Sequence, residues 1–90
     1  MRILVVEDDN EIAGFICRGL REAGHAVDHA PNGREGLFLA TGEQYDAIVL
    51  DRLMPQMDGL SMLAALRATG SRVPVLILSA LSQVDERIRG

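Results

Sequence analysis

Residues 46–59 read DAIVLDRLMPQMDG, and the stretch poses a physical question. A short apolar run, Ala47-Ile48-Val49-Leu50, leads straight into a carboxylate, Asp51. Burying an ionised carboxylate is costly unless something compensates it. Either Asp51 sits in water at the mouth of a buried strand, or it is held there for chemistry. After it comes Met54-Pro55, and then Asp58-Gly59 ahead of a new apolar pattern.

The pattern outside this stretch decides what kind of strand it is. Ile3 to Val6 is short, apolar throughout and rich in β-branched residues, which suits a strand buried on both faces. Ile12, Phe15, Ile16 and Leu20 then recur at helical spacing until Gly24. His25 to Ala30 is a weaker strand with Ala26 and Val27 at its centre. Pro31-Asn32-Gly33 turns the chain into a second helix carrying Leu37 and Ala40 and ending at Gly42. Asp46 to Leu50 is the third strand. Leu60, Leu63, Ala64 and Leu66 mark one face of a third helix that ends near Gly70. Val73 to Leu78 is a fourth strand, and Leu81, Val84 and Ile88 begin a fourth helix. Strands alternating with helices through short loops imply an α/β fold, a parallel sheet with helices on both faces and right-handed crossovers.

Ligands of such sheets lie beyond the carboxyl ends of the strands. Strand one delivers Glu7 and Asp8 to that edge, strand three Asp51, and strand four Ser79. Strand two delivers only Ala30-Pro31. Three carboxylates brought together repel, and a divalent cation removes the conflict. An all-oxygen donor set selects a hard ion, Mg²⁺ or Mn²⁺, over zinc. A carboxylate nucleophile, a metal and a neighbouring hydroxyl describe phosphoryl transfer to aspartate.

Composition narrows the alternatives. Ninety residues make one domain, with 48% apolar residues for a core and only three aromatics, Phe15, Phe38 and Tyr45. The net charge of −4 disfavours a nucleic-acid surface in this segment. One cysteine, Cys17, forbids an internal disulfide. The apolar start Ile3–Val6 is too short for a signal peptide or a membrane span, so no membrane contact is expected. Acids stand after strand one where a dinucleotide fold needs a glycine-rich turn. An aspartate-nucleophile phosphatase of the haloacid dehalogenase type uses a second Asp two residues after the first, and Leu53 stands there instead.

The stretches ILVVEDD, VLDRLMPQMDG and VLILSA, in that order and spacing, resemble the receiver domain of a two-component response regulator. GHAVDHAPNGREGL and the closing VDERIRG are most similar to its OmpR/PhoB-type branch. The resemblance implies a flavodoxin-like sheet with strand order 2-1-3-4-5. It implies that Asp51 is the phosphoacceptor and that Asp8 ligates Mg²⁺ directly, with Glu7 acting through water. The backbone carbonyl of Leu53 becomes a further metal ligand, Ser79 the switch hydroxyl, and Ala80 the small residue that leaves the phosphoryl group room. It also implies a cytoplasmic signalling protein, not a turnover enzyme, that receives its phosphoryl group from a sensor histidine kinase. DNA would then be bound through a C-terminal domain missing from this chain.

One departure matters. The family carries a Lys after a fifth strand, and this chain has no Lys: all nine basic residues are Arg. Residues 1–90 therefore read as a receiver domain truncated before strand five and helix five, with sheet order 2-1-3-4. The alternative reading is a phosphorylation-impaired receiver fragment acting as an interaction module. Strand four would be an apolar edge, which invites pairing. A homodimer or an oligomer through strand four and helix four is the expectation.

Plainer roles fit the remaining residues. Asp9 caps helix one, whereas Asp8 with Glu11 could form a capping box but is read as part of the site. Asp58 caps helix three, and Gly59 allows close backbone approach. Pro55 stiffens the loop. Cys17 is a small, semi-buried hydrophobe. Met54, Met57 and Met62 are packing and loop residues, and Arg52 faces solvent. His25 and His29 flank strand two, far from the acids.

Overall fold

In a computed structural model of the chain, residues 1–51 and 59–78 are described. Four of the sequence segments become strands: β1 (Arg2–Val6), β2 (Ala26–Ala30), β3 (Ala47–Asp51) and β4 (Val75–Leu78). Three become helices: α1 (Asn10–Glu22), α2 (Gly33–Gly42) and α3 (Gly59–Ala68). All strand pairs are parallel, as the alternation of elements implied, and the order is β2-β1-β3-β4, as the family resemblance implied. The expected fourth helix lies outside the described residues.

β1 and β3 are the two interior strands, and in β1 the residues Ile3 to Val6 are all buried. Their side chains alternate between two cores. Ile3 and Val5 pack with Cys17 of α1 and Val27 of β2. Leu4 and Val6 pack with Ala30, Ile48, Leu50, Met62 and Leu66 on the side of α2 and α3. A strand buried on both faces must be apolar at every position, which is why it carries no alternation.

The helix termini follow local chemistry. The Asp9 carboxylate caps α1 by accepting from the backbone N–H groups of Glu11 and Ile12 at 2.9 and 3.1 Å. Asn32 does the same for α2, accepting from Glu35 N–H at 2.9 Å. α1 ends at Glu22, and Gly24 then turns with φ +97°, a conformation only glycine adopts cheaply.

Two helix faces differ from expectation. In α1 the buried residues are Ala13 and Cys17, with Ile16 and Leu20 half-buried, while Ile12 and Phe15 are exposed. In α3 the inward residues are Met62 and Leu66, whereas Leu60 and Ala64 are exposed. Met62 is thus a core residue. β4 begins at Val75, two residues later than expected; Pro74 has no N–H, and only its carbonyl serves the sheet, accepting from Ile48 N–H at 2.9 Å.

α2 owes its position to one missing side chain. A Cβ on Gly36 would stand 2.8 and 3.0 Å from the two methyl carbons of buried Val6. Valine is stiff at χ1 and cannot swing away. Gly36→Ala should therefore destabilise the fold by about 1–3 kcal/mol through overpacking. Gly14, whose added Cβ would meet nothing within 4 Å, is the control. Gly14→Ala should be neutral or stabilising by up to about 1 kcal/mol. Denaturant unfolding of both variants checks the contrast, and equal midpoints would refute the close-packing account.

At the amino ends of the strands, Arg2 ties the sheet to the loop before β3. Its N–H donates to the Asp46 carboxylate at 2.7 Å, and its carbonyl accepts from Asp46 N–H at 2.7 Å. Its guanidinium bridges Glu43 at 2.8 Å and Asp28 at 3.3 Å, 5.0 Å from the Tyr45 ring centre. Tyr45 donates to Asp28 at 2.7 Å. Burial, reinforced by that carboxylate, pushes the Tyr45 phenol up to about 12.

Candidate functional site

The carboxyl ends of β1 and β3 meet at the opposite edge. Val6 pairs with Leu50, so Glu7 and Asp51 leave the two strands side by side. Glu7, Asp8 and Asp51 each bring a carboxylate oxygen to within 4.8 Å of the others. The chain order predicted this grouping, and the fold supplies it. Leu53, Ser79, Ala80 and Asp58 lie outside the described residues.

The three acids sit in different surroundings. Asp8 is exposed and Asp51 half-buried. Glu7 is 4% exposed, the only buried charged residue among those described. Its carboxylate accepts from the Asp9 backbone N–H at 3.1 Å. Burial pushes the Glu7 carboxyl up to about 7; the Asp9 N–H opposes the shift, while hydrogen bonding with Asp51 and Asp8 and the Asp51 charge add to it. A buried acid facing two further acids finds no positive partner among the described residues, and a divalent cation would supply one. The donor set is entirely oxygen, open to water at Asp8 and closed at Glu7. The residues present therefore fit a hard cation of the Mg²⁺ or Mn²⁺ type and not zinc.

The local fold explains how these acids are held. The Glu7 N–H extends the sheet by donating to the Ala30 carbonyl at 3.0 Å. Asp9 cannot swing toward the acids because its carboxylate is committed to the first turn of α1. His29 contributes a contact that the sequence reading did not foresee. Its Nε2 lies 2.8 Å from the Glu7 backbone carbonyl, so His29 is not far from the acids. The signal was present in the strand order: β2 neighbours β1, and the pairings Val5 with His29 and Val6 with Ala30 bring their ends level. His25 stays at the other edge, near the amino terminus.

Comparison with known proteins agrees with this geometry. The family profile described as the response regulator receiver domain matches residues 3–90. The transcriptional regulatory protein PrrA of Mycobacterium tuberculosis is 49% identical over 89 residues, which cover 99% of this chain and 38% of that protein. The Francisella response regulator 1452 receiver domain superposes with a TM-score of 0.86 at 42% identity, covering 98% of this chain and 73% of that one. The response regulator TrrA of Thermotoga maritima, solved in complex with Mg²⁺–BeF, gives a TM-score of 0.85 at 34% identity, covering 91% and 71%. The chain spans about two fifths of the length of the curated relatives it matches.

Proposed function

Since the chain belongs to the response regulator receiver domain family, we propose that it accepts a phosphoryl group on Asp51 and relays that event to an output domain. The observation that carries this reading is the meeting of Glu7, Asp8 and Asp51 within 4.8 Å at the ends of two adjacent parallel strands.

In this reading Asp51 is the nucleophile. One of its carboxylate oxygens forms a bond to phosphorus as the bond from phosphorus to the donor's imidazole nitrogen breaks. The product is an acyl phosphate on Asp51 and a free histidine on the kinase. Water later cleaves the acyl phosphate and restores the carboxylate. Asp8, Glu7, Asp51 and the Leu53 carbonyl would hold Mg²⁺, which when bound offsets the negative charge shared by the carboxylates and the phosphoryl oxygens. Ser79 would donate its hydroxyl to a phosphoryl oxygen, and Ala80 would leave space beside it. The Mg²⁺–BeF complex of TrrA supports the choice of ion.

The partners follow from the family. A sensor histidine kinase supplies the phosphoryl group. The names of the relatives support transcriptional control through a DNA-binding output domain beyond this segment. No helix among the described residues is long and apolar enough to cross a membrane, and we place the protein in the cytoplasm. Pairing with a second copy through β4 and the segment after it is the partner we propose for the apolar run Val75–Leu78.

Incubation of the protein with acetyl phosphate and Mg²⁺, followed by mass spectrometry of its peptides, tests the central claim. One phosphoryl group should appear on the peptide containing Asp51, and chelation of the metal should suppress it. A group placed on another residue would overturn the assignment.

A further inference from the structure

His29 is a half-buried side chain in β2 whose ring reaches the backbone of the acid cluster. The Glu7 peptide leaves β1 where the sheet ladder runs out. Its N–H still finds β2, donating to the Ala30 carbonyl at 3.0 Å. The next donor in the parallel ladder would be the Asn32 N–H, but β2 ends at Ala30 and Asn32 already caps α2. The His29 ring takes that place, with Nε2 at 2.8 Å from the Glu7 oxygen. A carbonyl only accepts, so Nε2 carries the proton in this contact.

The Glu7 carbonyl belongs to the same rigid plane as the Asp8 amide. Fixing that oxygen fixes the plane of the peptide joining the two acids that follow β1, and so constrains how both carboxylates leave the backbone. The Glu7 N–H and carbonyl are both tied to β2, one through backbone and one through the His29 side chain. From this geometry we infer that His29 is a positioning residue of the metal-binding acid pair, holding the Glu7–Asp8 peptide in the orientation that groups Glu7 and Asp8 with Asp51. This inference rests on the reading of the cluster as a Mg²⁺ site. Groups that orient ligands from outside the coordination sphere typically change metal affinity by about 10–100-fold. His29 acts through the backbone and not on a carboxylate, so a smaller effect of about three- to tenfold is expected.

The test compares His29→Ala with His29→Gln in the complete protein. The glutamine side chain places an amide N–H donor at nearly the distance of the histidine Nε2. Calorimetric titration with Mg²⁺ should show a three- to tenfold weaker affinity for His29→Ala and recovery toward the parent for His29→Gln. The Glu7 carbonyl-carbon resonance should move in the alanine variant and return with glutamine, which a loss of packing alone would not produce. Parental Mg²⁺ affinity in a folded His29→Ala protein would overturn the assignment while leaving the metal reading intact. Glutamine as weak as alanine would show that ring packing, not the donor, matters, and would overturn it too. Failure of the parent itself to bind Mg²⁺ would overturn both readings.

Discussion

Asp51→Asn should accept no phosphoryl group from acetyl phosphate or from a phosphorylated kinase. The substitution keeps the shape of the side chain but replaces the attacking oxygen with an amide, which is not a nucleophile at neutral pH. The fold should survive, because Asp51 stands half-buried at the last position of β3 and its backbone remains free to pair with Leu78. A second change should accompany the loss. Asp51 is one of the groups that push the Glu7 carboxyl up, so Glu7 should titrate below its parental value of about 7 in the variant. Intact mass spectrometry reads the first effect and carboxyl-carbon NMR of Glu7 the second. Undiminished phosphorylation in the variant would remove Asp51 from its role.

The second large effect concerns pH. Glu7 titrates near 7 in the folded protein, against an ordinary value of 4.5. Below pH 4.5 the group is protonated in both folded and unfolded chains and contributes nothing. Between pH 4.5 and 7 the folded state binds the extra proton, so stability must fall as pH rises through that window. Above it the loss is complete and constant, on the order of 3 kcal/mol. Glu7→Gln should therefore stabilise the metal-free protein at pH 8 and flatten the pH dependence. Mg²⁺ should do for the parent at pH 8 what the substitution does, and should do little at pH 5. Urea unfolding at pH 5 and pH 8, with and without Mg²⁺, gives the four numbers required. A parent as stable at pH 8 as at pH 5 in chelator would contradict the burial argument.

The same chemistry explains what the sequence disclosed and what it did not. Ile3–Val6 was legible as a doubly buried strand because burial on both faces leaves no polar position, whereas the equally apolar Ala47–Leu50 buries Ile48 and Leu50 fully and leaves Ala47 and Val49 half-buried. Asp9 was legible as a cap because capping is a short-range contact. The Glu7, Asp8 and Asp51 grouping followed from parallel topology, which places all strand ends on one edge. The inner face of α1 was not legible in the same way. EIAGFICRGL carries apolar residues around more than one side, and spacing alone favoured Ile12 and Phe15 over Ala13 and Cys17. Which of those sides meets the sheet is a tertiary matter that spacing does not state. Met62 was passed over beside the leucines for the same reason. The His29 contact required register, which the element order constrains but does not state.

The central place of β1 has a consequence for synthesis. The ribosome makes this strand first, yet both of its partners come later: Ile3 pairs with Val27 and with Ala47. At about 5–20 residues per second, the second partner follows roughly 1–4 seconds behind the first. Through that interval Ile3, Leu4, Val5 and Val6, all buried in the finished domain, have only one neighbouring strand. A nascent chain stalled between β2 and β3 would expose an unpaired apolar edge, the kind of surface that chaperones bind and that aggregates recruit. The strand made first of the four thus waits for a partner made third, and slowing translation before Ala47 should cost more soluble protein than slowing it after Leu50.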